Sequence, residues 1–368
     1  MVESGIMRSR YMIPILVLLT QMVIAMPLAA ETPPPFYPDK SNLLVYIEAG
    51  EARPVTNPDD WQKRRAHILA NMELVMGPFP DDARRVPLDI QVLDEQDFPA
   101  FTRRKITYSA EPGDRVPAYL LVPKGIDERV PGVLCLHPTY EHGKDMVVGL
   151  GDKPNRNYAE ELAGRGYVAL APDYMTFGEY RAVDPYALGY QSGTMKCIWN
   201  HVRAVDVLQS LPEVDPARIG CIGHSLGGHN TLFAGVFDPR IKVMVTSCGF
   251  NAFPKYYEGN LTGWTSNRYM PRIDTVYGKD PARMPFDFTE VLAALAPRPV
   301  FVNAPLRDAN FEVSGVYDCL AAARPVYALF GAEDRLVAQH PDCEHDFPPE
   351  VREAAYAFMA SALEAEEP

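Results

Sequence analysis

The sequence predicts an α/β fold: a mostly parallel, twisted sheet with helices on both faces and a small cap-like insertion. Three observations predict it. Short apolar runs recur at Val133 to Leu136, Tyr167 to Ala171, Ala217 to Ile222, Ile241 to Ser247, Val300 to Asn303 and, more weakly, Val326 to Phe330. The segments between them are mostly long enough for the crossover helices that parallel neighbours require. A pentad, Gly223-His224-Ser225-Leu226-Gly227, stands where one run passes into a helical pattern, and between Gly249 and Phe288 the strand-helix rhythm lapses.

In chain order, Arg8 and Arg10 precede an apolar run from Met12 to Met26, broken by Pro14, Thr20 and Gln21, and Pro27-Leu28-Ala29-Ala30 follows. This is the layout of an export signal over residues 1–30, with cleavage expected after Ala30. The run is nearly long enough to span a bilayer, so an uncleaved N-terminal anchor is the alternative. Both place the folded part outside the cytoplasm, periplasmic or secreted. Residues 31–56, proline-rich at first, read as a linker, and residues 57–368 as one catalytic-sized domain.

Asn57-Pro58-Asp59-Asp60 offers a helix cap and an acidic first turn, and Trp61, Ile68, Leu69, Met72 and Val75 follow at helical spacing. Phe101 to Val122 alternates on either side of Gly113, as two antiparallel strands would. Asn157 to Arg165, closed by Gly166, and Gly193 to Leu211 read as helices, as does Leu226 to Phe237. The last helix begins near Pro348-Pro349, with Val351, Ala355, Phe358 and Met359 on one face. The lapse at 249–288 is rich in Phe250, Phe253, Tyr256, Tyr257, Trp264, Tyr269 and Tyr277. Long insertions at the carboxyl ends of parallel strands lie where ligands bind, so this one reads as a cap.

With 368 residues, 47% of them apolar, the chain can bury a substantial core. Its net charge of -13 argues against a nucleic-acid partner, which would need clustered Lys and Arg. The 6 cysteines are irregularly spaced. Cys135 and Cys221 fall in core strands and read as free thiols, while Cys197, Cys248, Cys319 and Cys343 could pair.

The chemistry centres on Ser225. A serine hydroxyl attacks nothing unaided at neutral pH, so it must be held on a sharp turn beside a base. Ile219-Gly220-Cys221-Ile222 supplies the strand and Gly227-Gly228-His229-Asn230 the helix start, and side chains at Gly223 and Gly227 would collide there. In this architecture the base follows the last strand and the acid the strand before it. His345, in Pro341-Asp342-Cys343-Glu344-His345-Asp346-Phe347, is the expected base and Asp308, after Val300 to Arg307, the expected acid. His340 is the rival base, and Asp334 and Asp342 the alternative acids. The oxyanion hole needs backbone N–H groups, one from Leu226 and one from the loop His137-Pro138-Thr139-Tyr140. Pro138 has no N–H, which leaves Thr139, with Tyr140 in reserve. Asp173 reads as a turn-fastening carboxylate, and His224 and His229 as packing or hydrogen-bonding residues. His340, Cys343 and His345 lack the spacing and the fourth ligand of a zinc site, and Gly149-Leu150-Gly151 lacks the rest of a dinucleotide loop, so neither metal nor cofactor is expected.

Together these residues resemble the α/β-hydrolase superfamily, in its dienelactone hydrolase-like, acetyl xylan esterase-like and prolyl oligopeptidase-like branch. The likeness runs from about Trp61 to the C-terminus. It is strongest in Leu136-His137-Pro138-Thr139, Ala171-Pro172-Asp173-Tyr174, the pentad with its Gly-Gly extension, and the Asp308 and His345 segments. The resemblance implies Ser225 as nucleophile, Asp308 as acid and His345 as base, in a serine hydrolase cleaving carboxylic esters through an acyl-enzyme. Dienelactone hydrolases proper use cysteine where Ser225 stands, and the oligopeptidase propeller has no room here. An acylated carbohydrate or small ester is the expected substrate, with a peptide as the alternative and a non-catalytic binding protein the more remote one. Trp264, Tyr269 or Tyr140 could meet a sugar, and Arg268 or Arg272 a carboxylate. Neither nucleic acid nor a membrane, apart from the N-terminal anchor, is an expected partner.

Overall fold

The structure is a computed structural model that describes residues 1–2 and 33–364. The expected signal or anchor lies, from residue 3 onward, outside the described residues. Of the two units into which the chain divides, Met1–Pro33 and Pro34–Pro368, the second holds everything that follows. No helix among the described residues is long and apolar enough to cross a membrane.

The expected linker folds into an antiparallel hairpin, β1 (Val45–Glu48) and β2 (Glu51–Pro54). Helix α1 (Pro58–Met76) follows, and its Asn57 cap accepts the Asp60 amide. Then come β3 (Gln91–Asp97), β4 (Phe101–Glu111), β5 (Asp114–Pro123) and β6 (Val130–Leu136). Helices and strands alternate from there: α2 (Tyr158–Gly164), β7 (Val168–Pro172), α3 (Gly193–Ser210), β8 (Val214–His224), α4 (Leu226–Phe237) and β9 (Ile241–Ser247). After the short α5 (Arg272–Thr275) and α6 (Phe288–Ala293) come β10 (Val300–Asn303), α7 (Val313–Leu329), β11 (Leu336–Gln339) and α8 (Pro349–Glu364).

Nine strands form one sheet in the order β11-β10-β9-β8-β6-β7-β5-β4-β3. From β11 to β7 all neighbours are parallel; β5, β4 and β3 are added antiparallel. The parallel strands are buried on both faces, which is why they read as continuous apolar runs rather than alternations. One face is covered by α1, α3, α4, α6 and α7, through Trp61, Trp199, Phe233, Val291 and Val316 among others. The other is covered by α2 and α8, through Tyr158, Leu162, Val351 and Met359. The sheet thus carries its parallel carboxyl ends, after β6, β8, β9 and β10, to one edge.

Two expectations need correction. Val326 to Phe330 is not a strand: it ends α7, where Val326 and Tyr327 bury one side of a helix begun at Val313. The last strand is Leu336–Gln339, short and only partly buried, so its pattern is faint. No cysteines pair; all six are free thiols. The edge strand β3, exposed along its whole length, went unread because polar residues fill it.

Helix α1 is tied to the body by a buried ion pair. Arg64 meets Glu290 at 2.5 Å with both side chains fully buried, and its guanidinium also lies over the Tyr37 ring. Glu290 takes the Asp287 amide with its other oxygen, closing a capping box at α6. Removing one partner leaves a bare buried charge, so Glu290→Leu should lower the unfolding free energy by about 3 to 5 kcal/mol in a urea titration. A loss under about 1 kcal/mol would mean that water reaches Arg64.

Candidate active site

Strand β8 enters the site and α4 leaves it, with Ser225 between them at φ 55° and ψ -120°. This backbone is strained for a residue with a side chain, and the surroundings impose it. A Cβ on Gly223 would strike the Gly227 carbonyl, one on Gly227 the Leu136 carbonyl at the end of β6, and one on Gly228 Gly249 and the Ser247 carbonyl. The Ser225 amide is held by the Ser247 carbonyl at 2.8 Å. The serine is thereby lifted into a cavity of about 90 Å³ lined by Thr139, Leu226, His229, Tyr256, Trp264, Tyr269, Asn310 and Phe311. None of these side chains carries a charge.

Asp308, five residues past β10, is buried and turned toward His345. Its two oxygens lie 3.0 and 2.9 Å from His345 Nδ1, and Oδ1 also accepts the amides of Asn310 and Phe311. Burial alone would raise its pKa. The His345 hydrogen bond and charge and the two amides outweigh that and hold the carboxyl below its ordinary value. A carboxylate facing Nδ1 fixes the tautomer with the proton there, leaving the Nε2 lone pair free to accept one. No hydrogen bond joins Ser225 Oγ to His345 among the described residues. The Asp308–His345 pair is formed without it, and contacts between a nucleophile and its base commonly tighten only with substrate bound.

The rival assignments lie elsewhere. His340 bonds the Ala304 carbonyl at 2.9 Å and packs against Tyr317. Asp342 pairs with Arg307, and Asp334 sits in the turn before β11. Asp173 fastens a turn, accepting the Lys144 and Glu179 amides and the buried Lys144 ammonium. Among the described residues Cys248, Asp308 and His345 gather ligand-type atoms within 4.8 Å of one another. Asp308 and His345 already bind each other, and burial pushes the Cys248 thiol well up, against the thiolate a metal would need.

Leu226 and Thr139, the expected oxyanion donors, both line the cavity. Leu226 opens α4, where the amide has no acceptor within the helix. The Thr139 loop is held by His137, whose Nδ1 lies 2.7 Å from the Pro138 carbonyl and whose Nε2 accepts the Tyr174 amide. Trp264 and Tyr269 reach the cavity too, but Trp264 is 3% exposed. It packs among His229, Phe253, Tyr256, Phe288 and Phe311 and anchors the insertion more than it offers a free face. Arg268 lines an adjoining cavity, its guanidinium over Phe177, and Arg272 bonds the Leu74 carbonyl. Tyr140 packs on His142 outside the cavity lining. Asn310 and Phe311 were not singled out in the sequence, where their place after β10 was the available signal; His229 was read as a packing residue and Tyr256 only as part of the cap, and both line the cavity.

Four histidines around the site are buried and neutral. Burial lowers His137 to about 4, His201 and His229 each to about 3, and His224 well below its ordinary value. The unfolded chain protonates these rings below about 6.5, and the folded one does so only at much lower pH. Stability is therefore fully present above about 6.5 and lost as pH falls toward about 4, by roughly 1 kcal/mol per pH unit for each ring. Denaturant titrations at pH 7 and 5 should differ accordingly, with protons taken up on unfolding at pH 5. Equal stabilities would mean that the rings are hydrated.

Similarity to known proteins accords with this geometry. Residues 184–331 match the family described as "Glucuronyl esterase, fungi". A putative hydrolase, YtaP, of Bacillus subtilis (strain 168) is 27% identical over 309 residues, 81% of this chain and 100% of that one. The 4-O-methyl-glucuronoyl methylesterase 1 of Sodiomyces alcalophilus is 26% identical over 178 residues, and the match spans 43% of this chain but only 35% of that protein. Among solved structures, a glucuronoyl esterase from Solibacter usitatus superposes with a TM-score of 0.67 at 21% identity, over 90% of this chain and 99% of that one. The nine-stranded sheet, the elbow at Ser225 and these structural likenesses show that the chain has the α/β-hydrolase fold.

Proposed function

We propose that this chain is an exported hydrolase of carbohydrate esters in which Ser225, His345 and Asp308 act together. The observation that carries the reading is the buried Asp308 carboxylate on His345 Nδ1, on the same sheet edge as a serine held on a strained elbow, with the end of β9 between their strands. In the proposed cycle Ser225 Oγ attacks the ester carbonyl and its proton passes to His345 Nε2. The Leu226 and Thr139 amides take the charge of the tetrahedral oxyanion, and the same proton is returned to the departing alcohol. Water, deprotonated by His345, then bonds to the acyl carbon, and as the acyl–Oγ bond breaks His345 returns the proton to Ser225 and the acid leaves.

Two features support a sugar ester as the substrate. Two of the proteins this chain resembles are described as esterases of glucuronoyl groups, and a cavity with aromatic walls and no charged side chain suits a neutral ester over an ionised acid. Uronic acid esters are therefore the first class and acetylated xylo-oligosaccharides the second. Export rests on Arg8, Arg10 and the apolar run to Met26.

Turnover of a methyl ester of glucuronic acid, an acetylated xylo-oligosaccharide, an aryl acetate and a peptide anilide should rank in that order. Ser225→Ala should abolish all of it with the melting temperature nearly unchanged. Preference for the anilide would favour a peptidase, and activity surviving in Ser225→Ala would move the nucleophile elsewhere. Asp308→Asn should keep the fold and lower kcat by about 10⁴-fold, since the imidazole loses its tautomer; a loss under about tenfold would remove Asp308 from the acid role.

A further inference from the structure

His345 has an acid at its side, yet the loop that carries it belongs to no strand or helix. It runs from the end of β11 to the start of α8, and residue 345 must be held by something else. The neighbouring residue is held from three directions. The Asp346 carbonyl accepts the Asn303 side-chain amide at 2.9 Å and the Cys248 thiol at 3.4 Å, from the ends of β10 and β9. The Asp346 carboxylate takes Arg156 Nη1 at 2.5 Å on one oxygen and Asn155 Nδ2 at 2.7 Å on the other. Arg156 Nη2 also reaches the His345 carbonyl, at 3.2 Å.

The donors are themselves fixed. Arg156 is almost wholly buried. Asn155 is oriented through its own oxygen by Arg352, which holds the Phe347 carbonyl at 2.7 Å and both Glu161 oxygens at 3.0 Å. Asn303 also bonds Ser247 Oγ, which lies 2.8 Å from His224 Nδ1, and the His224 ring packs 4.8 Å from that of His345. Asp346, the residue after the base, is thus clamped through its carbonyl to the ends of β9 and β10, and through its carboxylate, together with the His345 carbonyl, to the turn before α2.

We propose that Asp346 is a positioning residue for the base: its carbonyl and carboxylate lock the His345 peptide, so that an imidazole on Asp308 keeps Nε2 aimed at the nucleophile. Its charge also neutralises Arg156, which would otherwise oppose the imidazolium formed in each half-reaction. Asp308 fixes one edge of the ring and Asp346 the backbone it hangs from. The inference rests on the reading of His345 as the base.

The test compares wild type, Asp346→Asn and Arg156→Met, each alone and combined with His345→Ala, on an aryl acetate and on a fluorophosphonate probe, with melting temperature followed throughout. Asp346→Asn and Arg156→Met should each lower kcat and the labelling rate at Ser225 by roughly 10- to 100-fold with KM little changed, as expected of a catalytic group displaced by about 1 Å. In the His345→Ala background neither should lower the residual rate further, because nothing remains to be positioned. Wild-type kcat in Asp346→Asn, or the same fold loss with and without His345, would overturn the proposal. A wild-type enzyme that is not labelled at Ser225 would remove the serine-hydrolase reading, and this one with it. Labelling of wild type and Asp346→Asn at equal rates would remove this one alone.

Discussion

The approach of two backbones at the elbow governs the site. β8 and β6 run parallel and adjacent, and α4 must turn back across the end of β6 at once. The Leu136 carbonyl, the Gly227 carbonyl and the Ser247 carbonyl crowd into the space that Cβ atoms would fill at positions 227, 223 and 228. Glycine at those positions allows the turn, and the turn forces Ser225 to a positive φ. The cost of that strain is of order 1 to 3 kcal/mol, which the packed sheet on both sides can absorb. The same geometry starts α4 at Leu226, whose amide opens the helix without an acceptor inside it and beside the cavity.

From that fixed point the other parts are reached by strand ends. Asp308 follows β10, the Asp346 clamp draws on the ends of β9 and β10, and the Thr139 loop follows β6. Parallel topology delivers all of them to one edge, which is why the sheet order matters more to function than the helices. Electrostatics divides accordingly. Charges beneath the site are paired or bonded, as in Asp308 with His345, Asp346 with Arg156, and Lys144 with Asp173. The cavity wall itself is neutral.

What was legible in the sequence follows the same physics. The parallel strands were readable because burial on both faces leaves unbroken apolar runs such as Ile241 to Ser247, and the elbow because close approach admits only glycine. The order of Ser225, Asp308 and His345 followed from strand order. β11 was not readable: its four residues lie near the sheet edge and are only partly buried, while the apolar Val326 and Tyr327 of α7 mimic a strand. β2 and β3 are exposed and mostly polar, so no hydrophobic pattern marks them. Within the site, side-chain hydrogen bonds across 43 and 190 positions, from Asn303 and Arg156 to Asp346, leave no local trace at all.

The aromatic insertion shows the limit of reading function from composition. Its rings are abundant because they must build a core of their own: Phe288 stacks on Phe250 and on Phe233 of α4, and Phe253 meets Phe286 and Phe288 edge to face. Trp264 sits in the middle of that cluster, so its burial serves packing first. Yet its indole N–H and His229 Nδ1 are both buried without a protein partner, beside the cavity. Groups left unpaired in a native interior ordinarily find a partner in water or in a ligand. An apolar wall with a few unspent polar atoms is the surface a sugar requires, since each sugar face is partly apolar and each edge carries hydroxyls. On the carbohydrate-ester reading proposed above, Trp264 of the insertion and His229 of α4 contribute through these polar atoms more than through the rings that packing consumes.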